Sequence, residues 1–332
     1  MTVATGIGSL PGEDYREAVK QVLGELPDLP HVPELPTRGA IASMTGRTLA
    51  VVEGLDADLQ PAGWRLTGTS GAPALDHRRA RSLLAQDLDT VEELTQGYEG
   101  PFKLQVAGPW TLSATVERPR GDRILADHGA RRELAQALAE GVSAHVQDVR
   151  RRLPDAGRLI VQVDEPALPA VLGGKVPTAS GYGRHRSVEP PEASQALAWV
   201  LDAVADAGAE PWVHSCAPGT PLDLLLGAGA RGLSVDLGVL DATGTDHLAE
   251  ALEAEPEVTV ALGVVPSLPP DEPPTDKAVT ERVLRWLDMV GLAPEEVGDR
   301  LVVAPACGLA GASPGWAREA MRLARVVAAN LG

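Results

Sequence analysis

His214-Ser215-Cys216 and the only other cysteine, Cys307, carry the side chains of this chain best suited to chemistry. His214 and Cys216 stand two apart at the end of an apolar segment, Glu210 to Val213. On an extended strand residues i and i+2 point the same way, so imidazole and thiol can converge on one point. Cys307 closes a second apolar segment, Leu301-Val302-Val303, and is followed by Gly308. One histidine and two cysteines at strand ends match a catalytic zinc, which takes three protein ligands and keeps one position open. A structural zinc finger would need four ligands in tight pairs. The same residues also fit a buried core thiol and a loop cysteine without a metal.

The elements that must position these residues alternate along the second half of the chain. Apolar strand-like segments are Leu159 to Val163, Pro211 to His214, Gly232 to Asp236, Val258 to Gly263 and Leu301 to Val303. Helical patterns separate or follow them, at Ala193–Ala207, Pro221–Gly227, His247–Glu253, Thr275–Val290 and Pro314–Asn330. Strand, helix, strand at this rhythm implies a parallel sheet. The first half adds strand candidates at Thr5–Leu10, around Val32 and at Lys103–Gly108, and helices at Gly12–Leu26 and Ala130–Leu153. Eight strand candidates in this order predict an α/β fold of the (β/α)8 type, a TIM barrel in one domain over residues 1–332. An open doubly wound sheet is the alternative, but Gly6-Ile7-Gly8-Ser9-Leu10-Pro11 lacks the glycine spacing of a phosphate turn. Val51 to Asp76, polar and glycine-rich, breaks the rhythm and reads as an insertion after strand two.

In such barrels the working residues sit where strands end, at the C-terminal face. Here those ends carry Ser9, Glu34, Gly108, Asp164 with Glu165, His214 with Cys216, Asp236, Gly263 and Cys307. Metal-type and polar side chains thus fall where a site is expected.

Composition narrows the partners. The chain has 332 residues, 44% of them hydrophobic, and a formal charge of -17. An acid excess of this size argues against nucleic acid or an anionic membrane as a partner. No apolar run approaches the roughly 18 residues of a membrane span. Two cysteines make no disulfide framework, and the first residues do not resemble a secretion signal, so a cytoplasmic location is expected.

Four segments together resemble the C-terminal catalytic barrel of cobalamin-independent methionine synthase. They are Ile7-Gly8-Ser9-Leu10-Pro11, Gln162-Val163-Asp164-Glu165-Pro166-Ala167-Leu168, His214-Ser215-Cys216 and Cys307-Gly308-Leu309. The resemblance covers nearly the whole chain and implies a zinc (Zn2+) barrel that moves a methyl group onto the thiol of homocysteine. By position it makes His214, Cys216 and Cys307 the metal ligands. The family's glutamate ligand has its nearest equivalent in Asp236, one methylene shorter. Ser9 and Asp164 match positions that hold the amino-acid part of homocysteine, and Glu34 matches more loosely a second ammonium partner.

The methyl donor is where the chain departs from the family. The duplicated N-terminal half of the long enzymes is absent from this sequence, and Ala310-Gly311-Ala312 stands where the family has a basic residue. The chain thereby resembles the short, core-only members, and two donors stay open: a methyl-corrinoid protein carrying methylcobalamin, to which these departures point, or methyltetrahydrofolate. Two other readings fit the same residues. One is a related zinc methyltransferase with another thiol acceptor such as coenzyme M. The other is a non-catalytic zinc or homocysteine-binding protein.

Overall fold

The computed structural model describes residues 1–68, 74–254 and 258–332. Its strands are β1 (Val3–Ala4), β2 (Ala57–Gln60), β3 (Gly63–Leu66), β4 (Phe102–Ala107), β5 (Leu159–Asp164), β6 (Glu210–Ser215), β7 (Gly232–Asp236), β8 (Thr259–Val265) and β9 (Leu301–Pro305). Seven of them form a curled parallel sheet in the order β1-β9-β8-β7-β6-β5-β4. The helices are α1 (Tyr15–Glu25), α2 (Met44–Val51), α3 (Leu75–Leu94), α4 (Pro109–Thr115), α5 (His128–Arg152), α6 (Leu168–Leu172), α7 (Pro190–Asp206), α8 (Leu222–Gly227), α9 (Ala242–Ala254), α10 (Asp276–Met289), α11 (Pro294–Val297) and α12 (Pro314–Leu331). The fold is therefore α/β, with helices returning the chain between parallel strands as the alternating pattern required.

Six of the eight expected strands lie in the sheet, and its seventh member is β1, just ahead of the expected Thr5–Leu10. The one around Val32 makes single bridges to β4, His31 with Lys103, and to the segment after β1, Glu34 with Ser9. Lys103 N donates to Pro30 O at 2.9 Å, Val32 N to Lys103 O at 2.9 Å, and Leu10 N to Glu34 O at 2.8 Å. The first strand sits earlier than the sequence suggested, since Thr5–Leu10 follows β1 instead of forming it. Its glycines allow a close approach: a Cβ on Gly6 would lie 2.3 Å from the His31 ring. The excursion after strand two contains an antiparallel hairpin, β2 with β3. Part of that excursion, 69–73, lies outside the described residues.

Helix ends follow local chemistry. Asp14 accepts from Glu17 N at 3.0 Å to start α1, and Asp127 accepts from Ala130 N at 2.9 Å to start α5. Both are side-chain N-caps that satisfy a free helical N–H. The 20-residue α3 was not foreseen. Its buried face is only His77, Ala80, Asp87, Leu88 and Val91, so its apolar stripe is thin and interrupted by polar residues.

Alternation along the strands separates two cores. Val161, Val163 and Val213 belong to the large cluster shared with the helices. Ile160, Trp212, Ala261 and Val302 point the other way and pack with Leu29 in a small separate cluster. That cluster plugs the inside of the curled sheet at the N-terminal end of its strands. Trp212 fits only because its neighbour in the register, Gly232, has no side chain: a Cβ there would lie 2.2 Å from the indole. Gly232→Ala is expected to destabilise the fold by about 1–3 kcal/mol through overpacking. Urea unfolding followed by circular dichroism checks this, and an unchanged midpoint would mean that the plug can make room.

Candidate functional site

Above the plug the inward positions of β4, β5 and β6 turn polar. In β4 the inward residue next to the plug is Lys103, followed by Gln105. In β5 Ile160 is followed by Gln162 and then Asp164, and in β6 Trp212 is followed by His214 and, just beyond the strand, Cys216. Two-residue steps along parallel strands thus stack an apolar floor, a polar layer and a mouth.

The mouth is a cavity of about 290 Å³. Ser9, Glu34, Asp164, His214, Cys216 and Cys307 all line it, so six of the seven residues singled out in the sequence meet in one place. Among the described residues, one group of metal-type side chains brings its ligand atoms within 4.8 Å of one another: His214, Cys216 and Cys307. The two sulfurs are joined as a disulfide, with Cα atoms 5.8 Å apart across 91 residues of chain. Two thiolate ligands require the reduced pair. Gly308 lets the chain pass Ser9 closely, since a Cβ there would lie 2.1 Å from the Ser9 hydroxyl.

The His214 ring has one nitrogen engaged and one without a partner among the described residues. Its Nδ1 is 3.0 Å from both the carbonyl and the hydroxyl oxygen of Ser234. A carbonyl only accepts, so Nδ1 carries the proton and Nε2 keeps its lone pair. Nε2 is buried and has no hydrogen-bond partner among the described residues. Burial, with the Lys103 charge adding to it, holds this imidazole down at about 4. A neutral histidine with an orphaned nitrogen beside two cysteines fits a zinc site of three protein ligands.

The seventh residue, Asp236, does not join this group. Its Oδ1 accepts from Gly238 N at 2.7 Å, closing the turn after β7.

The other half of the cavity carries carboxylates. Burial raises Asp164 well above the ordinary aspartate range, and the neighbouring Glu34 charge pushes the same way. Burial also raises Glu34, against the pull of Arg47. Arg47 Nε lies 3.6 Å from Glu34 Oε1, and the same guanidinium donates to Asp87 at 2.6 Å. Arg38 takes both Asp87 oxygens, at 2.9 and 2.6 Å, and stacks 4.8 Å over the Tyr15 ring. Arg38 and Arg47 therefore serve the protein's own carboxylates.

Glu165 turns away from the mouth. It accepts from Trp110 N, Thr111 N and Thr111 Oγ1 at 2.7–2.9 Å and so caps α4. Trp110 is core, its Nε1 donating to Ala193 O at 3.0 Å. His31 is buried, and both its ring nitrogens lack partners among the described residues. Tyr182 stands 99% exposed on a loop tied by Ala179 N to Asp122 Oδ1 at 3.2 Å.

Sequence reasoning missed Lys103 and Gln162, the polar layer beneath Asp164. Lys103 is fully buried, and burial pulls its ammonium down to about 7 against the pull of Asp164 and Glu34. Their signal in the sequence was a lysine and a glutamine at inward positions of otherwise apolar strands. Met44, which also lines the cavity, gave no such signal.

The family model for the catalytic domain of the cobalamin-independent synthase matches residues 103–330. Among solved structures, the chain is similar to a B12-independent methionine synthase from Shewanella sp. W3-18-1 in complex with selenomethionine. The TM-score is 0.63 at 14% identity, covering 99% of this chain and 97% of that one. Oxaloacetate acetylhydrolase in complex with oxalate gives a TM-score of 0.39 at 11% identity, covering 96% and 78%. No curated protein sequence matches the chain.

In the reduced, metal-free protein, His214 is expected to stay neutral, with its proton on Nδ1, down to about pH 4. Its lowered pKa means the imidazole takes no proton through the 7-to-5 range in which an ordinary histidine charges. Nitrogen-detected NMR of the histidine side chains reads both tautomer and midpoint. A midpoint near 6.5 for His214 would contradict the burial seen here.

Proposed function

The chain belongs to the cobalamin-independent synthase family through its catalytic domain, and on that premise we propose that it is a zinc-dependent methyltransferase making methionine from homocysteine. The observation that carries this reading is the meeting of His214, Cys216 and Cys307 with Ser9, Glu34 and Asp164 around one small cavity. A thiol amino acid needs both halves: a place for its sulfur and carboxylates for its ammonium. In this reading the curled sheet is a (β/α)8 barrel with residues 30–34 as its second stave. Residues 1–332 are one domain, and the stretch with the β2–β3 hairpin is an insertion. The protein works in the cytoplasm.

His214 through Nε2, and Cys216 and Cys307 as thiolates, would hold the zinc. When bound, the ion would supply a deprotonated substrate thiol in a fixed position. Asp164 and Glu34 receive the substrate ammonium, and the Ser9 hydroxyl donates to its carboxylate. Arg47 keeps Glu34 in place from behind. Asp236 is engaged in its own turn, which supports a role outside the ligand set.

We assign methylcobalamin on a corrinoid protein as the donor. The basic residue that the family carries after the Cys-Gly-Leu segment, on the donor side, is replaced here by Ala310-Gly311-Ala312. Coenzyme M is disfavoured as acceptor because a sulfonate calls for cationic groups. Among the described residues the cavity lining has no lysine or arginine.

Zinc-loaded, reduced protein given homocysteine and methylcobalamin is expected to form methionine, and Cys307→Ser should lose both zinc and turnover. Asp236→Asn should keep its zinc and at least half the wild-type rate, read by metal analysis and by the same assay. Turnover with methyltetrahydrofolate alone would reassign the donor. Bound zinc and homocysteine without turnover from any donor would favour the binding-protein reading.

A further inference from the structure

Lys103 is fully buried in the layer directly beneath the mouth, and the proposed reaction gives it no role. An ammonium has three donors and no acceptor, so every neighbour within bonding distance must accept. Lys103 Nζ donates to Ile7 O at 3.0 Å and to Gln162 Oε1 at 2.7 Å. A primary amide has one oxygen end and one nitrogen end. With its oxygen held by the ammonium, Gln162 must turn its Nε2 to the opposite side. There Nε2 donates to Asp164 Oδ1 at 2.7 Å and to Ile7 O at 2.9 Å. Lys103 therefore dictates the orientation of Gln162, and Gln162 dictates which atoms face Asp164. A flipped amide would set oxygen against oxygen at that contact.

The consequence reaches the cavity. Asp164 Oδ1 is occupied from below by a donor, which favours the charged carboxylate, and Asp164 lines the cavity where its second oxygen can serve a ligand. Glu34, on the opposite side, has Arg47 behind it in the same way. Each pocket carboxylate is thus backed by a cation, one directly and one through an amide.

We propose that Lys103 is a positioning residue that fixes Gln162 as a donor to Asp164 and thereby makes the pocket demand an α-amino group on its thiol ligand. The inference rests on reading the cavity as an amino-acid thiol site. Lys103 touches no substrate; it acts through the amide.

The test compares two ligands that differ only in the amine, L-homocysteine and 4-mercaptobutyrate, by calorimetry on the reduced, zinc-loaded protein. Wild type is expected to prefer homocysteine by at least roughly tenfold, the scale of one charge-assisted hydrogen bond. In Lys103→Met that preference should fall towards unity, while 4-mercaptobutyrate binding stays within about threefold and zinc content is unchanged. Gln162→Leu, which breaks the same relay with an apolar side chain, should erase the preference to the same level, and the double variant should lose no more. Should either single variant fail to fold, the other carries the comparison. An intact preference in the variants overturns the inference. So does an equal loss of both ligands, which is the mark of a merely structural role. Wild type that binds homocysteine no better than 4-mercaptobutyrate overturns the amino-acid reading of the cavity and the inference with it.

Discussion

The site depends on burying charge inside a curled sheet. Lys103 and Gln162 are wholly buried, and Asp164, Glu34 and His214 are at most 6% exposed. An isolated ion in such a place would be prohibitive, and paired charges persist only where each donor and acceptor is satisfied. The strands meet that condition by stacking complementary groups in register: Lys103 beside Gln162, Gln162 below Asp164, and His214 on the Ser234 carbonyl. The apolar plug of Ile160, Trp212, Ala261, Val302 and Leu29 seals the layer from the other end. Everything at the mouth is supported by this alternation of a dry floor and a matched polar layer.

Much of the mouth was legible from the sequence, because residues at strand ends announce themselves by type. Histidine, cysteine or aspartate ending an apolar run has few structural reasons to be there, and Ser9, Asp164, His214, Cys216 and Cys307 do line one cavity. The layer below was not legible for the opposite reason. A lysine inside Phe102-Lys103-Leu104 looks like the exposed face of a half-buried strand, since alternation alone does not say which side holds solvent. In a curled parallel sheet neither side does. Asp236 ends its strand as read from the sequence, and its bond to its own turn, open to an aspartate two residues before a glycine, is visible only in the structure.

The fold was recoverable where periodicity was strong and hidden where it was weak. β5 to β9 and the helices between them fall close to their expected places. The segment 30–34 makes single bridges instead of a ladder, and α3 buries an aspartate and a histidine on its inner face. That aspartate, Asp87, holds Arg38 and Arg47 in turn, and Arg47 stands behind Glu34. The helix least visible in the sequence therefore reaches the cavity through Arg47 and Glu34. Polar burial hides an element from pattern reading at the very place where it ties that element to the site.

The pairing order of the sheet also sets when the metal-type group can exist at all. β9, which delivers Cys307, is seated between β1 and β8, so the first and last strands of the sheet are neighbours. His214 and Cys216 come from one strand end, but their third companion lies 91 residues further along. Such non-local closure is slow to form and late to be rewarded. A chain emerging from the ribosome presents one imidazole and one thiol long before it can present the trio. Only a chain whose last strand has docked beside its first brings the three side chains together.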